Sequence, residues 1–201
     1  MSGLRALFEL IAGGEDATAL SMIATDPSLA REAYRSDARR QAAHADFFPA
    51  IRHYAYDGDT ALHLAAAACR PKLIEALLAK GADVHGRNRR RAGPLHYAVD
   101  GAGAAGDQAE VVRLLIAAGA DPDAADASGV APLHRAVRNR RAEAVEALLA
   151  AGADPARRNG SGSTPMRLTQ VNSGKSGSGS DRAKAERQLI VGLIEHALRQ
   201  T

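Results

Sequence analysis

Three segments of the chain repeat one another, and their spacing leaves little choice of fold. They are TALHLAAAACRPKLIEALLAKGADV from Thr60, GPLHYAV from Gly93 running on to EVVRLLIAAGADP, and APLHRAVRNRRAEAVEALLAAGADP from Ala131. Leu-His pairs fall at Leu62-His63, Leu95-His96 and Leu133-His134, and Gly-Ala-Asp triplets begin at Gly81, Gly119 and Gly152. The pairs step by 33 and then 38 residues, the triplets by 38 and then 33, so five extra residues lie between His96 and Gly119, inside the middle repeat. A period of this length is one supersecondary unit that cannot bury its apolar face alone, so neighbours must stack.

Each unit reads as two helices and a turn. Thr60 is a hydroxyl N-cap, and Pro94 and Pro132 stand at the first helical position, where a missing N–H costs nothing. A short apolar helix follows. After a turn, Leu73-Ile74 and Leu77-Leu78, or Val111-Val112 and Leu114-Leu115, recur with helical spacing and give the second helix a wide buried face. Gly81, Gly119 and Gly152 then fall where a helix ends in the left-handed conformation. Composition agrees: 46% of residues are hydrophobic, but only 3% are aromatic and there is no Trp. An Ala-rich, aromatic-poor core suits close-packed helices better than a β-sandwich.

Over residues 57–159 these segments resemble the ankyrin repeat, with its Thr-Pro-Leu-His-x-Ala helix start, Val-Val-x-Leu-Leu second helix and Gly-Ala-Asp close. The resemblance implies an all-α solenoid of helix-turn-helix pairs: first helices line a concave face, second helices form the back, and β-hairpin fingers project from the edge. It also implies that Thr60 and His63 exchange hydrogen bonds that lock the first turn. Gly93 and Ala131 replace that Thr, and losing the hydroxyl cap costs about 1 kcal/mol for Ala and a few tenths for Gly, so those corners should be looser.

The expected organisation is one domain over 1–201 with about five repeats. Residues 1–30 form an N-terminal capping helix pair, 57–88, 89–126 and 127–159 the regular repeats, and 160–201 a C-terminal capping repeat. In that last unit Met166 takes the Leu position, Arg167 the His position, and the Gly/Ser run after Asn172 is a linker. Residues 31–56 fit no repeat pattern, yet Tyr34, Phe47, Phe48, Tyr54 and Tyr56 are five of the chain's seven aromatics. Two readings stay open: Phe47 and Phe48 plug the gap between cap and first repeat, or Tyr54 and Tyr56 reach the concave groove as binding anchors.

Several function classes are disfavoured. With 26 Lys+Arg against 23 Asp+Glu the formal charge is only +3, too small to argue for nucleic acid or membrane. The N-terminus lacks the pattern of a secretory signal, and no apolar run is long enough to span a bilayer, so a cytoplasmic location is expected. One cysteine, Cys69, builds neither a disulfide nor a Cys-based metal site. It stands at the repeat turn where the family usually has Gly. The G-x-G-x-x-G string from Gly101 to Gly106 follows a helix where a dinucleotide site needs a strand, and Gly174-Lys175-Ser176 lacks the first Gly of a phosphate loop. His63, His96 and His134 recur once per repeat, roughly 10 Å apart by helix packing, beyond the reach of one zinc ion. His44, His53 and His85 have no second ligand at metal spacing and read as surface or packing residues.

No catalytic, cofactor or metal residue is expected, and the resemblance implies a non-catalytic protein-binding module. Counted from the Leu-His landmarks, hairpin tips carry Tyr56, Asp57 and Asp59, then Arg89 and Arg90, while the ends of first helices carry Asp100, Arg138 and Asn139. The runs Arg87-Asn88-Arg89-Arg90-Arg91 and Arg138-Asn139-Arg140-Arg141 then share one side and point to a partner protein with an acidic surface. Interleaved aspartates disfavour nucleic acid. The competing expectation is a small-ligand or enzymatic pocket formed by segment 31–56 and the insertion at 102–106.

Overall fold

The computed structural model describes residues 3–35, 46–101, 105–170 and 180–200. Among these, ten α-helices follow one another as pairs: α1 (Gly3–Gly13) with α2 (Asp16–Thr25), α3 (Ala61–Ala67) with α4 (Pro71–Ala79), α5 (Pro94–Asp100) with α6 (Ala105–Ala117), α7 (Pro132–Arg138) with α8 (Ala142–Ala150), and α9 (Pro165–Gln170) with α10 (Asp181–Leu198). A seven-residue helix such as α3 has no stability of its own in water, since nucleation outweighs so few hydrogen bonds. Packing supplies it. The first helices form one row, α1-α3-α5-α7-α9, and the second helices another, α2-α4-α6-α8-α10, each helix packing on its partner and on the next in its row. The result is the helical-repeat solenoid of five pairs, with one apolar core running from Leu4 to Ile194. Every residue of α3 is buried, and four of its seven are Ala, which lets α1, α4 and α5 approach closely. Thr60, Gly93 and Ala131 are the N-caps of α3, α5 and α7, with Pro94 and Pro132 opening the latter two. The three triplet glycines end the second helices at φ of 82°, 100° and 86°.

The five extra residues have a partial fate in the structure. α6 begins four residues earlier, relative to its closing glycine, than α4 and α8 do, so most of the insertion is an added helical turn. In the first and third regular repeats a left-handed residue joins the paired helices, Cys69 at φ 52° and Arg140 at φ 55°, and the following N–H groups close on carbonyls of the last turn. That conformation is why glycine suits the Cys69 position. In the middle repeat, side chains cap α5. Buried Gln108 donates to the Ala98 and Gly101 carbonyls at 2.8 and 3.4 Å, Arg141 Nη2 donates to Gly101 O at 2.9 Å, and Asn139 Nδ2 to Val99 O at 3.3 Å. Residues 102–104, and the linker residues 171–179 with Gly174-Lys175-Ser176, lie outside the described residues, as does His44.

The aromatic segment is anchored at both ends. Tyr34 N–H donates to Asp59 O and Gly58 N–H to Tyr34 O, at 2.6 and 2.8 Å, which ties its start to the first finger. A short antiparallel hairpin, β1 (Phe47–Phe48) and β2 (His53–Tyr54), pairs Phe47 with Tyr54 and Phe48 with His53. Alternation across the strand separates the two phenylalanines. Phe48 is buried against Phe8 of α1, ring centroids 6.2 Å apart, and so fills the expected gap. Phe47 does not: it faces the other way and packs on Tyr54 at 4.7 Å. Arg5 of α1 completes the anchor, reaching Tyr34 Oη at 3.3 Å and Asp46 at 3.2 Å, while Tyr34 Oη donates to the same carboxylate.

Candidate partner-binding cleft

The repeat histidines set the spacing of the concave face. In each regular repeat the N-cap N–H (Thr60, Gly93, Ala131) donates to Nδ1 of the histidine three residues on, at 3.1, 3.2 and 3.3 Å. Nδ1 is therefore the bare nitrogen, and Nε2–H donates to a carbonyl of the following finger: Ala92 at 3.3 Å, Val130 at 3.0 Å, and Arg157 at 3.1 Å with Ser163 at 3.2 Å. The Thr60 hydroxyl adds a contact at 3.0 Å that Gly93 and Ala131 cannot make, but the backbone bond survives their substitution. With both nitrogens engaged, these rings are staples between repeats. Burial holds them neutral, pushing His63 down to about 3 and His96 to about 4. The fingers are joined tip to tip as well: Arg89 N–H donates to Asp57 O at 2.8 Å, Ala127 N–H to Arg90 O at 2.8 Å, and Gly160 N–H to Ser128 O at 2.9 Å.

On this frame, position one beyond each histidine decides the local chemistry. It is Leu64, then Tyr97, then Arg135. Tyr97 is buried, and its hydroxyl donates to Asp59 at 2.7 Å. Asp59 also accepts from Tyr56 N–H at 2.7 Å and Asn88 Nδ2 at 2.9 Å. Burial raises the Asp59 carboxyl to about 6 against those three donors, and the same burial, with Asp59 beside it, pushes the Tyr97 phenol up. Arg135 instead bridges two carboxylates, Asp100 through Nη1 and Asp126 through Nη2 at 2.7 Å, and Asn139 Nδ2 donates to Asp100 at 2.7 Å. Burial opposes ionisation of Asp126, but Arg135 and the N–H groups of Val130 and Ser128 outweigh it and lower its pKa.

Between these two networks a cleft of about 220 Å³ opens, walled by His53 of β2 and Tyr56 just beyond it, by Tyr97 and Asp100 of α5, and by Arg90 and Arg138. His53 lies flat on Tyr97, centroids 4.3 Å apart and planes within 5°, and burial lowers its pKa. Arg90 and Arg89 cover Tyr56, their guanidinium carbons 4.3 and 5.4 Å from the ring centroid.

Of the residues singled out from sequence, Tyr56, Arg90, Asp100 and Arg138 line this one cleft; Arg89, over the Tyr56 ring, and Asp57 are not in its lining and sit on exposed or half-exposed tips. Three expectations need correcting. Asp59 is not at an exposed tip but fully buried, because the left-handed Gly58 turns the chain inward before the Thr60 cap. Asn139 and Asp100 are engaged with each other and with Arg135 rather than projecting freely. The arginine runs are not uniform surface either: Asn88 is buried, Arg87 holds the Arg91 and Ala125 carbonyls at 2.9 and 3.2 Å, and Arg141 caps α5. Sequence reading missed His53, Tyr97 and Arg135. A signal for the last two existed, since the position after each Leu-His pair changes from Leu64 to a polar residue in the next two repeats. His53 had none, because its stacking partner is 44 positions away.

Among the described residues no group of three or more His, Cys, Asp or Glu side chains is arranged to hold a metal ion, and no helix is long and apolar enough to cross a membrane. A search of curated proteins finds no match. A family model described as ankyrin repeats, in three copies, matches residues 28–126 and 87–159, together more than half of the chain. The first of these spans takes in the aromatic segment. The paired helices, the histidine staples and this match lead to one conclusion: the chain belongs to the ankyrin-repeat family.

Proposed function

We propose that this protein is a non-catalytic, cytoplasmic binding module that holds a partner protein with an acidic surface against its concave face and hairpin tips. Ankyrin repeats are in general protein–protein interaction modules and typically not enzymes. The observation that carries the reading is the convergence of Tyr56, from the aromatic segment, with Arg90 and Arg138, from two different repeats, on one cleft. The histidine staples and tip-to-tip hydrogen bonds hold these side chains on a preformed surface, so docking orders little that is not already ordered. Arg89, Arg90 and Arg138 would steer the partner and Tyr56 would anchor it, with Asp57 on the neighbouring tip; the buried Asp59 supports the finger from within.

The test is an affinity capture from native cytosol comparing wild type with an Arg89→Glu, Arg90→Glu, Arg138→Glu variant. A partner retained by wild type and lost by the variant is expected, with a melting temperature nearly unchanged because all three side chains are exposed, where substitutions usually stay within about 0.5 kcal/mol each. Equal capture by both would remove the arginines from the interface. The aromatic His53–Tyr56 wall of the cleft favours one second reading: a small ligand bound there. A thermal-shift panel of small molecules tests it, since a ligand for the folded state raises the melting temperature.

A further inference from the structure

The charged groups around the cleft are not balanced. Arg135 is held between Asp100 and Asp126, whereas Arg90 and Arg138 form no ion pair among the described residues. Two guanidinium groups of the same sign facing one recess repel each other and favour an anion between them. His53, on the wall of the recess, also offers an open acceptor. His53 Nδ1 lies 3.2 Å from the Tyr54 carbonyl, which can only accept, so Nδ1 carries the hydrogen and Nε2 is left with its lone pair. No hydrogen bond to that Nε2 is formed among the described residues.

We infer that the cleft takes a glutamate or aspartate side chain from an extended segment of the partner, its carboxylate between Arg90 and Arg138 and an N–H of the segment available to His53 Nε2. This rests on the protein-binding reading and specifies what that partner presents. The volume, about 220 Å³, admits a side chain together with part of its backbone. The protein-binding reading makes the anion a side-chain carboxylate, and one observation disfavours nucleic acid. Nucleic acid binds such basic clefts by stacking bases on open aromatic faces, but here Tyr56 is covered by Arg90 and His53 lies on Tyr97.

The probe is a fluorescein-labelled hexaglutamate peptide, read by anisotropy and by the side-chain Nε–H resonances of the arginines, with hexaglutamine, a phosphoserine peptide and an oligonucleotide of matched length alongside. Hexaglutamate should bind and shift Arg90 and Arg138, hexaglutamine should not, and Arg90→Gln or Arg138→Gln should each weaken binding about tenfold with the fold unchanged. That result supports the cleft even where no cytosolic partner is retained. The inference is overturned if hexaglutamate leaves both resonances unmoved at millimolar concentration, if the double variant binds it as wild type does, or if the phosphoserine peptide or the oligonucleotide binds more tightly at equal ionic strength. A partner protein captured equally by wild type and the Arg90→Gln, Arg138→Gln variant overturns it too, while leaving the protein-binding reading intact.

Discussion

The seam between the first and second regular repeats and the seam between the second and third are built at equivalent positions but from opposite chemistry. Tyr97 reaches back to a carboxyl with no solvent exposure, while Arg135 reaches carboxylates that remain 10% and 22% exposed. In the first seam neutral donors share one acidic group, and burial works against its charge. In the second a cation is matched by two anions, and their attraction outweighs burial for both Arg135 and Asp126. A repeat scaffold thus keeps its histidine staples constant and lets the next residue along choose whether a seam is dry and neutral or wet and ionic.

Breaking the first seam should cost most. Tyr97→Ala removes a buried ring that packs on both His53 and His63, and a loss of about 3–5 kcal/mol is expected in chemical denaturation. Tyr97→Phe keeps the ring and should cost about 1–3 kcal/mol, because Asp59 loses a donor inside the protein. If the two variants are equally unstable, the hydrogen bond rather than the packing holds the seam.

The carboxyls of the two seams should also answer pH with opposite signs. Asp59 has a folded pKa near 6 against an ordinary value of 3.8, so its contribution is present below pH 4 and is lost as pH rises through 6. His63 and His96, held down to about 3 and 4 from 6.5, work the other way: their contribution is present above pH 6.5 and is lost as pH falls. Wild type should therefore gain roughly 2–3 kcal/mol on Asp59→Asn as pH is lowered from 7 to 4, and the variant should be the more acid-sensitive of the two. A pH-independent difference would show that Asp59 titrates normally. The Asp126 contribution, with its pKa lowered, is present above 3.8 and disappears only in stronger acid.

Arg135→Gln, at the second seam, should have the smallest effect, about 1–2 kcal/mol, because its partners are partly hydrated and can relax toward water. Raising ionic strength should shrink that difference and leave the Tyr97→Phe difference unchanged. An equal salt response from both variants would mean that the first seam is ionic as well.

The repeat spacing by itself determined the helix pairs, their caps and the order in which they stack. Thr60, Pro94, Pro132 and the triplet glycines act within one turn of themselves, so their meaning is local and readable along the chain. The Arg90 and Arg138 side chains could be assigned to one side by counting, because the solenoid carries a sequence position to a surface position with a fixed offset. Tertiary structure alone decided three things. It turned Asp59 inward, since burial depends on Tyr34, Asn88 and Tyr97 arriving from other elements. It split Phe47 from Phe48 through a hairpin that no repeat pattern announces. It laid His53 on Tyr97, closing the cleft with a contact across 44 positions. Each is a non-local contact, and a sequence records such contacts only in the residues that make them, not in which residues meet.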